Sequence, residues 1–298
     1  MSSKKKTVSL VLGSGGARGL AHIGVIRYLE ERDFDIISVS GCSMGAVVGG
    51  IYAAGKLAEY EKWVCAIDRM DIVSLLDFSW TTSGLVKGEK IIDTLKDLVG
   101  ERDIEDLPLS FTAVATDISD GREVWLRSGS LFQAMRASMS LPLLFTPANY
   151  NGRPLIDGGV LNPVPMAPTF SDQSDLTIAV DLNGRATVKP ESAPESDTRP
   201  IDDEETSAIR GRIGKFLDSL GDRMSRSDAE ESDELDARDV ANQAFDAMQS
   251  AISRQQLAAY PPDRLITIPR SAASVLEFDR AKELIDLGYR EAERQLSR

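Results

Sequence analysis

The stretch at residues 35–56, DIISVSGCSMGAVVGGIYAAGK, contains the change of pattern that decides the fold. Its beginning, around Ile36, Ile37 and Val39, is a short apolar run rich in β-branched side chains, which is typical of a buried strand. Residues 44–54 are mostly small and apolar, and this composition predicts a helix that the following glycine terminates. A strand that leads directly into a helix indicates an α/β fold.

The segment Gly41-Cys42-Ser43-Met44-Gly45 lies at the junction between this strand and this helix. A G-x-S-x-G pattern in a strand-to-helix turn is typical of a nucleophile elbow, whose tight turn exposes the serine hydroxyl. The N–H groups at the start of the helix then face any negative charge that forms there. Glycine-rich turns also match this pattern by chance, but the flanking strand and helix favour Ser43 as a nucleophile.

The composition of the chain limits its size class and its partners. With 298 residues, 42% of them hydrophobic, the chain can form one large α/β domain or two small ones. The net charge of −13 argues against a nucleic-acid partner, because phosphate contacts need clustered Lys and Arg. Two cysteines give no disulfide framework, and neither a signal peptide nor a membrane span is predicted, so we expect a cytoplasmic protein.

Alternating strand and helix patterns predict a mainly parallel sheet at the amino-terminal end of the chain. A strand at residues 8–12 is followed by the glycine-rich segment 13–19, GSGGARG, and then by a helix at residues 20–32. A hairpin is expected at residues 147–157, which contain an Asn-Gly turn signal. Further strands are predicted at residues 110–116, 123–126, 176–182 and 264–268, and further helices at residues 57–67, 89–99, 131–137, 205–226, 234–259 and 277–296.

The histidine content of the chain bears on the choice of a catalytic base. The only histidine, His22, precedes Ser43, so the triad order Ser, Asp or Glu, His of α/β-hydrolases is excluded. His22 could approach the serine from the first helix, but a single histidine on a helix is more often packed or solvated. Asp157 is the better candidate, because it ends an apolar strand and is followed by Gly158-Gly159, which allow close approach. Burial would raise the pKa of its carboxyl and improve it as a base.

The glycine-rich segment 13–19 predicts a loop that binds an oxyanion. Consecutive glycines expose backbone N–H groups, the loop ends at a helix N-terminus, and the Met44 N–H adds a further donor. A dinucleotide-binding loop fits less well, because Arg18 replaces the last glycine of G-x-G-x-x-G. A P-loop requires Gly-Lys followed by Ser or Thr, which this segment lacks. A strand-to-helix turn without a catalytic role is the remaining alternative.

These three motifs, at residues 13–19, 41–45 and 157–159, resemble in this order the signatures of the patatin-like phospholipases. The segments 136–142, RASMSLP, and 83–88, SGLVKG, are similar to the bacterial and neuropathy-target-esterase-like branch of that family. The resemblance covers about residues 7–183. It implies a three-layer αβα sandwich around a mainly parallel central sheet, and a Ser–Asp dyad that acts on acyl esters of lipids.

By position, the resemblance implies that Ser43 is the nucleophile and Asp157 the base. It places Gly15, Gly16 and Ala17 in the oxyanion loop, beside the Met44 N–H. Arg18 helps to shape this loop, and the other motif positions are Gly13, Gly19, Gly41, Gly45, Gly158 and Gly159. We expect residues 7–183 to form the catalytic domain, 184–206 an acidic linker with prolines, and 207–298 helices and a late strand that pack on that domain.

The sequence thus predicts a serine acyl-ester hydrolase of the phospholipase A or lysophospholipase type, which uses an acyl-serine intermediate and a lipid or fatty-acyl ester substrate. No cofactor is expected, and no metal, because one histidine and scattered acids form no ligand cluster. A transacylase and a catalytically idle lipid-binding regulator remain alternatives. The expected walls of an acyl channel are Phe78, Trp80, Leu141, Leu143, Leu144 and Phe145.

The predicted helix at residues 205–226 raises the question of a membrane contact. Its apolar stripe is accompanied by Arg210, Arg212 and Lys215, as in interfacial helices. The acidic flanking segments would be repelled by anionic lipid, which favours packing against the domain, against a sister subunit in a homodimer, or as a lid. Peripheral contact with the inner face of the membrane is the alternative to a purely cytoplasmic location.

Overall fold

The computed structural model describes residues 5–75, 85–185 and 237–297. The strands in these ranges are β1 (Lys6–Leu12), β2 (Phe34–Cys42), β3 (Ser110–Asp117), β4 (Arg122–Leu126), β5 (Ala148–Tyr150), β6 (Arg153–Asp157), β7 (Leu176–Gly184) and β8 (Arg264–Pro269). The helices are α1 (Ala21–Glu31), α2 (Met44–Ala53), α3 (Leu57–Ala66), α4 (Arg69–Leu75), α5 (Glu89–Val99), α6 (Leu131–Ser138), α7 (Ala237–Ala259) and α8 (Ala281–Leu296).

The strands form one mixed sheet in the order β5-β6-β3-β2-β1-β7-β8, and β4 also pairs with β3. The strands from β3 to β8 along this order are parallel, whereas β4, β5 and β6 join by antiparallel pairing. The antiparallel pairing of β6 places Asp157 opposite Ala115 of β3. The predicted α/β fold around a mainly parallel sheet is confirmed, and its hairpin brings Asp157 to the end of the sheet where β2 ends.

One face of the sheet carries the main apolar core under α1, α2, α6 and α8. Alternate residues of β1, Val8, Leu10 and Leu12, are fully buried in it. The first predicted helix buries an apolar stripe, since Leu20, Ile23, Ile26 and Leu29 are all fully buried. The C-terminal helix α8 packs along α1, and the rings of Tyr28 and Tyr289 meet edge to face at 5.4 Å. The C-terminal helix is therefore part of the main core.

The opposite face of the sheet carries a row of buried hydroxyl groups, Ser9, Ser38, Ser40 and Thr112, which we call the hydroxyl row. Residues 163–175 cover this row, and the Asp172 carboxylate accepts hydrogen bonds from Ser9, at 2.8 Å, and from Ser38. Ser40 donates to the Pro165 carbonyl at 2.9 Å, and Thr112 accepts from Arg127 at 3.2 Å. Beside the row, a small apolar cluster around Val11 packs against Leu257 of α7.

Contacts divide the chain into one unit of residues 1–187 and 243–298 and another of residues 188–242. The late strand β8 belongs to the first unit, where it extends the sheet by parallel pairing with β7. The predicted helix at residues 234–259 is described from Ala237 onward, and the one predicted at residues 277–296 begins at Ala281. The helix predicted at 205–226, and most of the linker predicted at 184–206, lie outside the described residues. No helix in the described ranges has the length and hydropathy that a membrane span requires.

Candidate active site

Ser43 occupies the turn between β2 and α2 with φ of 56° and ψ of −125°. Positive φ is strained for a residue with a side chain, so the surrounding structure must hold this turn in place. The glycine two residues later is required by close approach, because a Cβ on Gly45 would lie 2.1 Å from the carbonyl oxygen of Leu12. The strand–turn–helix geometry that the G-x-S-x-G motif predicts is present, and Ser43 is 7% exposed.

Asp157 ends β6 and is fully buried. Its Oδ1 accepts hydrogen bonds from the Gly159 N–H at 2.7 Å and from the Cys42 thiol at 3.8 Å. Its Oδ2 is buried with no hydrogen-bond partner among the described residues. Burial raises the pKa of Asp157 to about 6, and the Ser43 hydroxyl opposes this rise most strongly, followed by the donors to Oδ1. Ser43 is thus near enough to affect the carboxyl without a hydrogen bond of normal geometry, as is common in ligand-free active sites.

The glycine-rich loop leads from β1 to the start of α1, beside the elbow. The N–H groups of Gly15, Gly16 and Met44 make no hydrogen bond within the part of the chain that the structure describes. In contrast, the Ala17 N–H donates to the Val275 carbonyl at 2.9 Å. Three of the four predicted oxyanion donors therefore have no partner among the described residues, and the fourth, the Ala17 N–H, is occupied.

Arg18 supports this loop from inside the molecule, with a side chain only 3% exposed. Its Nε donates to the Gly15 carbonyl at 3.0 Å, and its Nη1 donates to the Arg270 carbonyl at 3.2 Å. The Asp246 carboxylate lies 3.6 Å from Nη2. Burial lowers the pKa of Arg18, and Asp246 opposes that shift. These contacts tie Arg18 to the backbone of the loop at Gly15, and its role in shaping the oxyanion loop stays a prediction.

His22 is fully buried on α1 and packs below the same loop. Its Nε2 lies 2.9 Å from the Gly13 carbonyl, an acceptor, so the ring must donate through Nε2. Burial lowers its pKa to about 4, which leaves the imidazole neutral near pH 7, and Nδ1 has no partner among the described residues. His22 thus acts on the backbone of the loop, as a packed side chain.

An apolar cavity opens onto Ser43 and is walled by α2, α3 and α5 through residues such as Val47, Trp63 and Leu95. Leu141, Leu144 and Phe145 line it as predicted. The assignment of Leu143 as a wall is wrong: its φ of 68° turns the chain there, and the side chain is 64% exposed. The predicted walls Phe78 and Trp80 lie outside the described residues.

Three residues that contact the site were not singled out from the sequence: Ser138, Gln249 and Val275. Ser138 accepts a hydrogen bond from the Ser43 N–H at 2.9 Å, and a Cβ on Gly159 would lie 2.3 Å from Gln249 Nε2. Ser138 belongs to the segment 136–142, which carries part of the family resemblance, so the sequence contained a signal that could have pointed to it. The other two lie after residue 183, where no motif marks them and only the fold brings them to the site.

Comparisons with known proteins identify the family of this chain. The family model of the patatin-like phospholipases matches residues 10–170. An uncharacterised NTE family protein of Mycobacterium tuberculosis is 40% identical over 329 aligned positions, which cover 96% of this chain and 90% of the relative. Lysophospholipase NTE1 of Candida glabrata is 32% identical over 185 positions, which cover 59% of this chain and 10% of that protein.

A solved structure, that of VipD from Legionella pneumophila, aligns with 95% of this chain and 67% of VipD at 16% identity and a TM-score of 0.42. The family match defines the class of this protein, which is that of the patatin-like lipid esterases. The chain belongs to the patatin-like phospholipase family, and within it to the NTE branch.

Proposed function

We propose that this protein hydrolyses acyl esters of lipids, with Ser43 as the nucleophile and Asp157 as the base. One observation carries the proposal: a buried carboxylate, with one oxygen that has no partner among the described residues, lies beside a strained serine that borders an apolar cavity. Backbone strain and unpaired buried polar atoms both cost stability, and both are concentrated at functional sites. Their coincidence at Ser43 and Asp157 supports a catalytic pair.

The reaction follows from the positions of these groups. The ionised Asp157 removes the proton from the Ser43 hydroxyl as the serine oxygen attacks the ester carbonyl carbon. The resulting oxyanion accepts hydrogen bonds from the free N–H groups of Gly15, Gly16 and Met44. When the intermediate collapses, the protonated Asp157 returns the proton to the leaving alcohol, and an acyl-serine remains. Water then repeats the same steps to release the fatty acid and regenerate the serine.

The electrostatics of the site suit this assignment. A carboxyl with its ordinary pKa is a weak base toward a hydroxyl, and the rise to about 6 improves the match while Asp157 remains mostly ionised at neutral pH. No imidazole takes part, because the neutral His22 is bound to the Gly13 carbonyl. No metal or cofactor enters the proposal, and the described residues contain no group of three His, Cys, Asp or Glu placed to bind a metal.

The substrate class follows from the cavity beside the serine. The walls of this cavity are apolar, which suits a fatty-acyl chain. The name lysophospholipase, which the Candida glabrata relative carries, is compatible with a single-chain lipid substrate. A lipid acceptor in place of water would make the enzyme a transacylase, so this alternative stays open. Peripheral membrane contact and a homodimer stay predictions.

Labelling with a fluorophosphonate probe tests the proposal on four proteins: wild type, Ser43→Ala, Asp157→Asn and His22→Gln. We expect no labelling of Ser43→Ala, strongly reduced labelling of Asp157→Asn, and retained labelling of His22→Gln. Undiminished labelling of Ser43→Ala would refute the nucleophile, and loss of labelling in a folded His22→Gln variant would refute the base. Product analysis with a lysolipid or glycerol acceptor separates hydrolysis from acyl transfer.

A further inference from the structure

Residues 138–140 accept hydrogen bonds from the backbone N–H groups of both members of the proposed catalytic pair. The Ser43 N–H donates to Ser138 Oγ at 2.9 Å, and the Asp157 N–H donates to the Ser140 carbonyl at 2.9 Å. One short segment therefore touches the nucleophile, which follows β2, and the base, which ends β6. We propose that residues 138–140 act as a clamp that sets the distance between Ser43 and Asp157, and that Ser138 is its positioning residue. This inference rests on the proposed function.

The hydroxyl of Ser138 is well placed for this role because both of its hydrogen-bonding directions are used. It accepts from the Ser43 N–H and donates to the Val114 carbonyl of β3 at 2.6 Å, and the side chain is fully buried. Cys42 and Val114 are paired in the parallel ladder of β2 and β3. The hydroxyl of Ser138 thus bridges the Val114 carbonyl and the N–H of Ser43, the residue directly after the last pair of the ladder. Without it, a buried N–H next to the nucleophile would have no acceptor.

The clamp is tied to the wall of the apolar cavity through Arg136. The Arg136 guanidinium donates to the carbonyls of Lys87, at 2.8 Å, and Thr146, at 3.0 Å, and it stacks over the Phe145 ring at 5.5 Å. It also donates to the hydroxyl of Ser140. Phe145 lines the cavity. The segment that fixes the pair is therefore continuous with the surface that would hold the acyl chain.

A displacement of about 1 Å between reacting groups can lower a rate by about 10²-fold. Removal of the Ser138 hydroxyl frees the Ser43 backbone but leaves the apolar cavity intact. The clamp therefore predicts a selective loss of kcat, with KM unchanged within about twofold. A residue that supported only the fold would change the fraction of folded protein, and it would leave the turnover of each folded molecule unaltered.

The test compares Ser138→Ala, Ser138→Cys and the matched control Ser9→Ala, since Ser9 is equally buried but belongs to the hydroxyl row. The Cys variant retains a side chain with a weak donor and acceptor, so it keeps the proposal testable if the Ala variant fails to fold. The kcat and KM for a soluble p-nitrophenyl ester and the rate of fluorophosphonate labelling are measured well below the melting temperature. Both are corrected for the folded fraction from circular dichroism.

We expect kcat and the labelling rate to fall in the order wild type, Ser138→Cys, Ser138→Ala, with a loss of about 10²-fold for Ala. Ser9→Ala should keep the turnover of wild type although its melting temperature falls. A turnover of both Ser138 variants equal to that of Ser9→Ala would overturn the clamp. Ser43→Ala is run in parallel: full labelling of that variant would refute the proposed function itself, whichever result the Ser138 variants give.

Discussion

The hydroxyl row and the candidate active site are two buried polar regions of the same sheet, but they differ in how their polar atoms are paired. In the hydroxyl row every member has a partner, and Ser9 and Ser38 share the Asp172 carboxylate. At the active site, Asp157 Oδ2 has no partner among the described residues, and Ser43 has a positive φ. The two regions therefore contain similar chemical groups, but the polar atoms of the hydroxyl row are hydrogen-bonded and one carboxylate oxygen of the active site has no partner among the described residues.

If the proposed function is correct, this difference separates polar groups that stabilise the fold from polar groups that take part in the reaction. A buried polar atom without a partner costs about 1–3 kcal/mol, so a fold retains one only where something compensates. In the hydroxyl row the protein recovers this energy by hydrogen bonding. At Asp157 it does not, and we expect the compensation to be catalysis.

The largest effect should come from a matched pair of carboxyl substitutions. Asp157→Asn removes the proposed base and should lower turnover by about 10²–10⁴-fold, the usual contribution of general base catalysis. Asp172→Asn changes the same kind of side chain in the hydroxyl row and should leave turnover within about twofold. Initial rates on a soluble ester, corrected for the folded fraction, measure both. Equal losses would remove the distinction between the two regions.

The same pair should change stability in opposite directions. The pKa of Asp157 is about 6 in the folded protein and 3.8 in the unfolded chain. Ionisation of this carboxyl therefore lowers the free energy of unfolding as the pH rises from about 4 to 6, and the loss remains at higher pH. Asp157→Asn should therefore raise the free energy of unfolding at pH 8 by up to about 3 kcal/mol. This gain should disappear as the pH falls from 6 to below 4. Asp172→Asn should instead lose about 1–3 kcal/mol, because the Asp172 carboxylate accepts hydrogen bonds.

Urea unfolding of both variants at pH 8 and pH 4.5 checks these values. The wild type serves as the reference at each pH. A destabilised Asp157→Asn variant at pH 8 would mean that both carboxylate oxygens have hydrogen-bond partners in solution, for example an ordered water. It would contradict the view that an oxygen of Asp157 is left without a partner at a cost in stability.

The pH dependence of the reaction should report the carboxyl of Asp157 directly. Because the ionised form is the base, kcat/KM should rise about tenfold per pH unit at low pH and level off above about pH 6. The inflection should persist in His22→Gln, since the pKa of His22 lies near 4 and its ring contacts only the loop backbone. An inflection that vanishes in a folded His22→Gln variant would assign the titration to the imidazole.

The smallest effect is expected within the hydroxyl row itself. Ser40 lies three residues before the nucleophile, but its hydroxyl donates to the Pro165 carbonyl on the opposite face of the sheet. Ser40→Ala should cost about 1 kcal/mol of stability and leave turnover within about twofold, since it removes one buried hydrogen bond. A large loss of turnover with an unchanged melting temperature would show that the two faces are coupled.

Much of this architecture could be predicted from local patterns in the sequence. The apolar stripe of α1, the Asn-Gly hairpin and the strand–turn–helix around Ser43 depend on residues close together in the chain, where turn chemistry and periodicity act directly. The prediction that Leu143 lines the cavity also relied on a local pattern, and it is wrong. Its neighbours are apolar, but a positive φ, which the sequence pattern does not reveal, turns it toward solvent.

The sequence by itself determined the family and the α/β class, and it selected Ser43 and Asp157 as the proposed catalytic pair, because these depend on short motifs that follow one another in a fixed order along the chain. Only the tertiary structure decided that Asp157 Oδ2 has no partner among the described residues, that the Ala17 N–H is occupied by Val275, and that Ser138 and Gln249 reach the site. Burial and hydrogen-bond partners are set by segments more than 90 residues apart, such as Ser43 and Ser138, and no local pattern contains that information.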